Sequence, residues 1–174
     1  MNQNPAPPDL SVLIPTHQRA DVLARVVRAW REHLVRGPSA EIVVVDDGST
    51  DDTPHVLAHL KDVFADEDVP LRYAQIDNAG AAGARNQAIE MSRGRVLLFS
   101  DDDMLPCDAM LHRRHLDAQR RRPGAWVSHL VVPDEVVETP FQHYWRRRLH
   151  RGTETLADGH EMGRSGFWFA TLSI

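Results

Sequence analysis

The sequence has little of what several large classes of protein require. Cys107 is the only cysteine among 174 residues, which excludes a disulfide framework and any metal site built from several thiolates. No apolar run approaches the roughly 18 residues needed to span a bilayer. The first ten residues have neither the basic region nor the apolar core of a signal peptide. We therefore expect a cytoplasmic protein.

Positive charge and phosphate-binding glycine motifs are also scarce. The net charge is −5, from 20 basic and 25 acidic residues, and an acidic balance speaks against nucleic acid as a partner. Neither Gly-x-Gly-x-x-Gly nor a P-loop is present, so dinucleotide and P-loop chemistry lack support. Hydrophobic residues make up 42% of the chain, as in soluble globular proteins, and the length indicates about one domain.

Short apolar runs alternate with segments of helical periodicity. The runs cover residues 11–15, 41–45, 71–76, 95–99 and 126–132, and the helical segments cover 21–34, 54–64, 80–92 and 107–121. Strands that are nearly continuous in apolar residues are typical of sheets covered on both faces. The pattern predicts an α/β fold, a doubly wound and mostly parallel sheet with helices on both faces. The strand-like segment 167–174 is either a docked strand or the end of a domain truncated at its C-terminus.

Polar residues follow the first four predicted strands, at the point where each strand ends. They are Thr16, His17 and Arg19 after the first strand, Asp46 and Asp47 after the second, Asp77 and Asn78 after the third, and Asp101, Asp102 and Asp103 after the fourth. Ligands of open parallel sheets bind beyond the carboxyl ends of the strands. The sequence therefore predicts a ligand site at this edge.

Three adjacent aspartates are the sharpest feature of that edge. Neighbouring carboxylates repel one another, and a divalent cation such as Mg²⁺ or Mn²⁺, which prefers oxygen ligands, would relieve the conflict. On an extended segment Asp101 and Asp103 would share a face, with Asp102 on the other. A segment rich in small residues, 78–86, lies earlier in the chain at a predicted helix start. Arg85 in this segment could add a bidentate contact to a phosphate.

Four segments, 11–19, 41–53, 78–86 and 96–106, together resemble the inverting glycosyltransferases of family 2, which have the glycosyltransferase A fold. They occur in the order and spacing of that family and cover residues 10–132. The resemblance implies a nucleotide-diphosphate sugar as donor, Mn²⁺ or Mg²⁺ as cofactor, and transfer of a hexosyl or related group to an acceptor hydroxyl with inversion. The acceptor would be a carbohydrate or a lipid-linked molecule.

The resemblance also implies roles for individual residues. Asp47 would hydrogen-bond the base, Asp46 would support its turn, and Arg85 would lie near the diphosphate. An Asp-x-Asp element would bind the ribose and the metal, but its register stays open: one alignment selects Asp101 and Asp103, the other makes Asp102 the metal ligand. We rank Asp103 and Asp102 above Asp101 for the metal. The nucleotide-sugar site as a whole comprises Pro15, Thr16, Arg19, Asp46, Asp47, Asn78, Arg85, Asp101 and Asp102.

On this interpretation residues 1–9 form a disordered tail, 10–132 a nucleotide-sugar-binding α/β domain, and 133–174 the incomplete start of an acceptor-side region. The catalytic base is not identified, and we expect it beyond Ile174. Two alternatives stay open, a nucleotide-sugar binding module without turnover and a receiver-like phosphoacceptor domain. A basic helical segment, 112–122, leaves room for a peripheral contact with the inner face of a membrane.

Overall fold

The computed structural model describes residues 6–65, 68–107, 110–128, 139–144 and 171–173. Strands and helices alternate over most of this part, as the sequence predicts. In chain order they are β1 (Leu10–Thr16), α1 (Ala20–Leu34), β2 (Ala40–Asp46), α2 (Thr53–Val63), β3 (Leu71–Gln75), α3 (Gly80–Met91), β4 (Val96–Ser100), α4 (Leu111–Arg121), β5 (Trp126–Val127) and β6 (Thr171–Ser173). In this described part, no helix has the length and apolar character that crossing a membrane requires.

The strands form one mostly parallel sheet in the order β3-β2-β1-β4-β6-β5. β1 pairs in parallel with β2 and with β4, and β2 pairs in parallel with β3. The chain thus moves outward from β1 through β2 and β3 and then returns to place β4 on the other side of β1. The carboxyl ends of β1 and β4 therefore border the topological switch point, where ligands of such sheets bind.

The last two strands differ from the expectation of a single strand over 126–132. β5 is the pair Trp126–Val127, and residues 129–132 lie outside the described part. β5 pairs antiparallel with β6, and β6 pairs antiparallel with β4. Of the strand-like segment 167–174, residues 171–173 are docked in the sheet.

Helices cover both faces of the parallel strands, as predicted. Alternate residues of β1 and β2 face opposite sides of the sheet because the side-chain period of a strand is two. Leu10, Val12 and Ile14 pack on the side covered by α1, α2 and α4, whereas Leu13 packs on the side covered by α3. All seven residues of β2 are buried. Helix α4 begins at Leu111, whereas the sequence indicated a start at Cys107.

Candidate functional site

A side-chain hydrogen bond joins the end of β1 to the segment that follows β4. Thr16 is the last residue of β1, and its Oγ1 donates to Asp102 Oδ2 at 2.7 Å. The Ser100 hydroxyl at the end of β4 is held in turn by the Trp30 indole, whose Nε1 donates to it at 3.2 Å. The end of β4 and the aspartates that follow it are therefore anchored to both β1 and the hydrophobic core.

Asp46 shapes the turn after β2 from inside. Its side chain is fully buried, and Oδ1 accepts a hydrogen bond from Ser49 N at 3.0 Å. Gly48 in this turn has φ +74°, and a Cβ there would lie 3.1 Å from Asn78 N. The turn therefore packs directly against the backbone of Asn78, which a larger residue at position 48 would push away.

Asp47 is fixed between β1 and the start of α3. Its N donates to the carbonyl of Thr16 at 2.9 Å, and its Oδ1 accepts from Ala79 N at 2.7 Å. Its own carbonyl accepts from His17 Nδ1 at 2.8 Å, so the His17 ring must carry a proton on Nδ1. The backbone of Asp47 is thus held against β1, and its carboxylate is oriented by the Ala79 N–H at the start of α3.

Gln18 connects the β1–α1 loop to the β2–α2 turn. Its backbone has φ +54°, and its Oε1 accepts from Thr50 N at 3.2 Å and from Asp51 N at 3.0 Å. Its Nε2 donates to Thr50 Oγ1 at 2.8 Å. The sequence did not single out Gln18, because its partners are more than 30 positions away and an amide residue in a loop carries no signal of its own.

The three consecutive aspartates have different surroundings. Arg85 Nη2 lies 2.8 Å from Asp101 Oδ1, whereas Arg19 Nε and Nη2 lie 3.8 Å from Asp102 Oδ1 and 3.9 Å from Asp103 Oδ2. The Asp102 side chain is 13% exposed and that of Asp103 56%. The expected alternation, with Asp101 and Asp103 on one face, does not hold. The extended backbone ends at Ser100, and Met104 N closes a turn on the carbonyl of Asp101 at 3.2 Å.

Burial raises the pKa of the Asp102 carboxyl, and this effect outweighs the hydrogen bond from Thr16 and the charge of Arg19, which lower the pKa. Asp103 and Asp101 raise it further by charge repulsion. The ionised form of Asp102 is therefore costly at this position, and an additional cation beside it would stabilise that form.

The carboxylates fit a divalent cation that is shared with a substrate. Among the described residues, no three His, Cys, Asp or Glu side chains converge into a preformed metal cage. Mg²⁺ is commonly held by one or two carboxylates, with substrate phosphates and water completing its shell. The oxygen-only donors Asp102 and Asp103 suit that arrangement, and Asp103 is open to solvent.

Most of the residues selected from the sequence meet at this edge of the sheet. The residues brought together are Thr16, Arg19, Asp46, Asp47, Asn78, Arg85, Asp101, Asp102 and Asp103. Pro15 lies within β1, one residue before the edge, opposite Val45 of β2.

Comparison with known sequences gives one family over nearly the whole chain. Residues 11–172 match the family model described as glycosyl transferase family 2. The chain is 28% identical over 152 residues to glycosyltransferase AglD of Haloferax volcanii, covering 83% of this chain and 23% of that protein. It is 31% identical over 141 residues to β-monoglucosyldiacylglycerol synthase of Nostoc sp., covering 80% of this chain and 29% of that protein. The chain thus spans about a quarter of the length of these relatives.

Solved structures show the same fold. The mannosyltransferase PcManGT of Pyrobaculum calidifontis, in complex with GDP-Man and Mn²⁺, superposes with a TM-score of 0.62 at 24% identity, over 74% of this chain and 37% of that one. TarS 1–349 of S. aureus in complex with UDP-GlcNAc superposes with a TM-score of 0.60 at 20% identity, over 75% of this chain and 37% of that one.

Proposed function

The chain belongs to glycosyl transferase family 2 and has the glycosyltransferase A fold, and from that premise we propose that residues 10–132 bind the donor of a sugar transfer. The donor is a nucleotide-diphosphate sugar, and the acceptor is a hydroxyl group. This membership leaves the receiver-like alternative without support. The proposal is carried by one observation, the convergence of Asp47 and the three aspartates after β4 on the switch point between β1 and β4.

Asp47 recognises the base in this proposal. An ionised carboxylate only accepts hydrogen bonds, so it suits a base edge that presents an N–H donor. Uracil and guanine present a ring N–H at that edge, whereas adenine and cytosine present only an amino group. Two structural neighbours hold GDP-Man and UDP-GlcNAc. The turn that Asp46 holds and the backbone contact with Asn78 set the position of this carboxylate. Pro15 and Thr16, at the end of the neighbouring strand β1, line the nucleotide pocket in this proposal.

The diphosphate lies between Arg19, Arg85 and the aspartates in this proposal. Asp103 and Asp102 would hold Mn²⁺ or Mg²⁺, and Asp101 would contribute to binding the ribose. When bound, the ion offsets the negative charge that grows on the diphosphate as the sugar–phosphate bond breaks. The guanidinium groups of Arg19 and Arg85 add bidentate contacts to the same oxygens.

Transfer proceeds with inversion in this proposal, which requires a base on the face of the sugar opposite the diphosphate. We place that base in the acceptor-side region, which begins in residues 133–174. The acceptor is a carbohydrate or a lipid-linked molecule, and one relative is named β-monoglucosyldiacylglycerol synthase. Helix α4 exposes Arg113, Arg114, Arg120 and Arg121, which an anionic membrane surface would attract. His112 and His115 of the same helix are buried and face the core.

Calorimetric titration of the full chain with UDP and GDP tests donor binding. We expect one of the two to bind in the presence of Mn²⁺, and excess chelator to weaken that binding by about tenfold or more, because the diphosphate loses its bridging cation. ADP and CDP serve as controls whose bases lack the ring N–H. Unchanged affinity in chelator contradicts metal dependence, and no binding of any nucleotide contradicts the function.

A second candidate is a nucleotide-sugar binding module without turnover, because no catalytic base is assigned among the residues that the structure describes. Hydrolysis of the nucleotide sugar in the absence of an acceptor distinguishes the two functions. A transferase donor site releases sugar slowly to water when no acceptor is present, which can be followed as free UDP or GDP over hours. A pure binding module leaves the nucleotide sugar intact.

A further inference from the structure

We propose that Arg85 and Arg19 are internal counter-ions that occupy the aspartates in the free protein and transfer to the diphosphate when the donor binds. As a result the metal binds tightly only together with the nucleotide. This inference rests on the proposed function and adds an order to the binding of its two ligands.

Arg85 is paired with the first of the three aspartates. Its Nη2 lies 2.8 Å from Asp101 Oδ1, a direct charge-assisted hydrogen bond. The two side chains are 33% and 36% exposed, so the pair borders solvent. An arriving anion can therefore reach the guanidinium without any rearrangement of the core.

Arg19 stands between the other two carboxylates without a short hydrogen bond to either. Its distances to Asp102 and Asp103 are 3.8 and 3.9 Å, and its side chain is 48% exposed. Its backbone is fixed, since Arg19 N donates to Thr53 Oγ1 at 3.2 Å. The guanidinium can therefore exchange partners by side-chain rotation alone while the loop stays in place.

The charges at this edge explain why such an exchange couples the two ligands. Three carboxylates face two guanidinium groups, so the excess negative charge is at most one. A divalent cation that approaches Asp102 and Asp103 alone meets two positive charges at close range, and Arg19 already lies beside both carboxylates. A diphosphate offers the guanidinium groups a bidentate partner of higher charge and releases the carboxylates for the metal. Each ligand then raises the affinity of the other by the same factor.

A purely structural role for Arg85 makes the opposite prediction for metal alone. If Arg85 only held the loop after β4 in place, its loss would disorder the aspartates and weaken both ligands. If it is a counter-ion, its loss strengthens Mn²⁺ binding in the absence of nucleotide and weakens nucleotide binding. The sign of the change in Mn²⁺ affinity separates the two roles.

The test measures two affinities. The affinity for Mn²⁺ without nucleotide is measured from the electron paramagnetic resonance signal of the free ion, and the affinity for UDP or GDP in the presence of Mn²⁺ is measured by calorimetry. For Arg85→Gln we expect Mn²⁺ alone to bind about fivefold tighter, because one of the two positive charges beside the aspartates is removed. The nucleotide should bind about fivefold weaker or worse. Arg85→Lys keeps the charge and should resemble the parent for Mn²⁺. Arg28→Gln on the exposed side of α1 is the matched control and should change neither affinity.

Equal or weaker binding of Mn²⁺ to Arg85→Gln overturns the inference, provided that thermal unfolding shows the variant to be folded. If Arg85→Gln does not fold, Arg19→Gln is measured in its place with the same expectation. A parent chain that binds UDP or GDP with Mn²⁺, beside a variant with unchanged Mn²⁺ affinity, sinks the counter-ion role alone. A parent chain that binds no nucleotide sinks the proposed function.

Discussion

Asp46 and Asp47 are adjacent aspartates with different surroundings and different roles. The Asp46 carboxylate turns inward and accepts from Ser49 N, while its second oxygen has no hydrogen-bond partner within the described residues. The Asp47 carboxylate turns toward α3 and accepts from Ala79 N. One side chain shapes the turn, and the other presents an acceptor at the edge of the sheet.

Asp47→Ala tests the acceptor at the scale of one residue. We expect affinity for UDP or GDP with Mn²⁺ to fall by tenfold or more, because a charge-assisted hydrogen bond contributes roughly 1.5–3 kcal/mol. The loss of the contact to Ala79 N should cost about 1 kcal/mol of stability and leave the chain folded. Calorimetry and thermal unfolding measure the two effects.

Asp52→Ala is the matched control for that variant. Asp52 lies in the same turn, its side chain is 87% exposed, and its only ion pair described is a long one to His55. It should leave nucleotide affinity unchanged. Equal affinity of Asp47→Ala and the parent removes Asp47 from the site.

Hydrogen bonds join β1, β2 and the connection between α3 and β4 at the edge of the sheet opposite the site. Glu41 of β2 is buried, and its Oε1 accepts from Ser11 Oγ and from Arg93 N, both at 2.6 Å. Gly94 N donates to Ser11 Oγ at 2.8 Å. These bonds join β1 and β2 to the connection between α3 and β4, so the three central strands keep one register.

Gly94→Ala tests this fastening at the scale of the elements. A Cβ at position 94 would lie 2.4 Å from Ser11 N and 2.7 Å from the carbonyl carbon of Leu10, which is backbone that cannot move aside cheaply. We expect a loss of about 2–3 kcal/mol in the free energy of unfolding, measured by urea denaturation. Gly124→Ala, where an added Cβ meets nothing within 4 Å, should change stability by less than about 0.5 kcal/mol. Equal midpoints for the two variants contradict the tight approach of β1 and β4.

The direction and pairing of β5 and β6 could not be read from the sequence. Local composition indicates a strand because apolar, β-branched residues suit a pleated surface, but it does not say which neighbour the strand takes. β6 lies between β4 and β5 although more than 40 residues of chain separate it from β5. Such pairing depends on the tertiary fold, because β6 occupies the side of β4 that β1 leaves unpaired.

For the molecule as a whole, α4 is attached partly through buried imidazoles. His112 Nδ1 lies 2.8 Å from His33 Nε2 of α1, and His115 Nε2 lies 2.5 Å from Ser128 Oγ. Burial lowers the pKa of His115 from 6.5 to about 4. The histidine is therefore neutral in the folded protein over a pH range in which it binds a proton when unfolded.

Global stability should consequently depend on pH between 6.5 and 4. The unfolded chain binds more protons in this range, so the free energy of unfolding falls as the pH falls and the loss levels off near the folded pKa of about 4. The contribution of His115 is on the order of 3 kcal/mol. Urea denaturation at several pH values measures it, and His115→Gln should reduce the slope.

His59→Gln is the control for this prediction, since His59 is exposed on α2. It should keep the slope of the parent. The same slope in His115→Gln and in the parent contradicts the role of the buried imidazole.

The sequence alone determined the alternation of strands and helices, the covering of both faces and most of the residues at the site. Apolar periodicity and strand-end polarity are local properties, and parallel strands necessarily bring their carboxyl ends to one edge. The tertiary structure decided what depends on distant partners: the ion pairs of Arg19 and Arg85, the role of Gln18, and the antiparallel strands at the end of the sheet. These features arise from contacts between residues far apart in the chain, which no local pattern records.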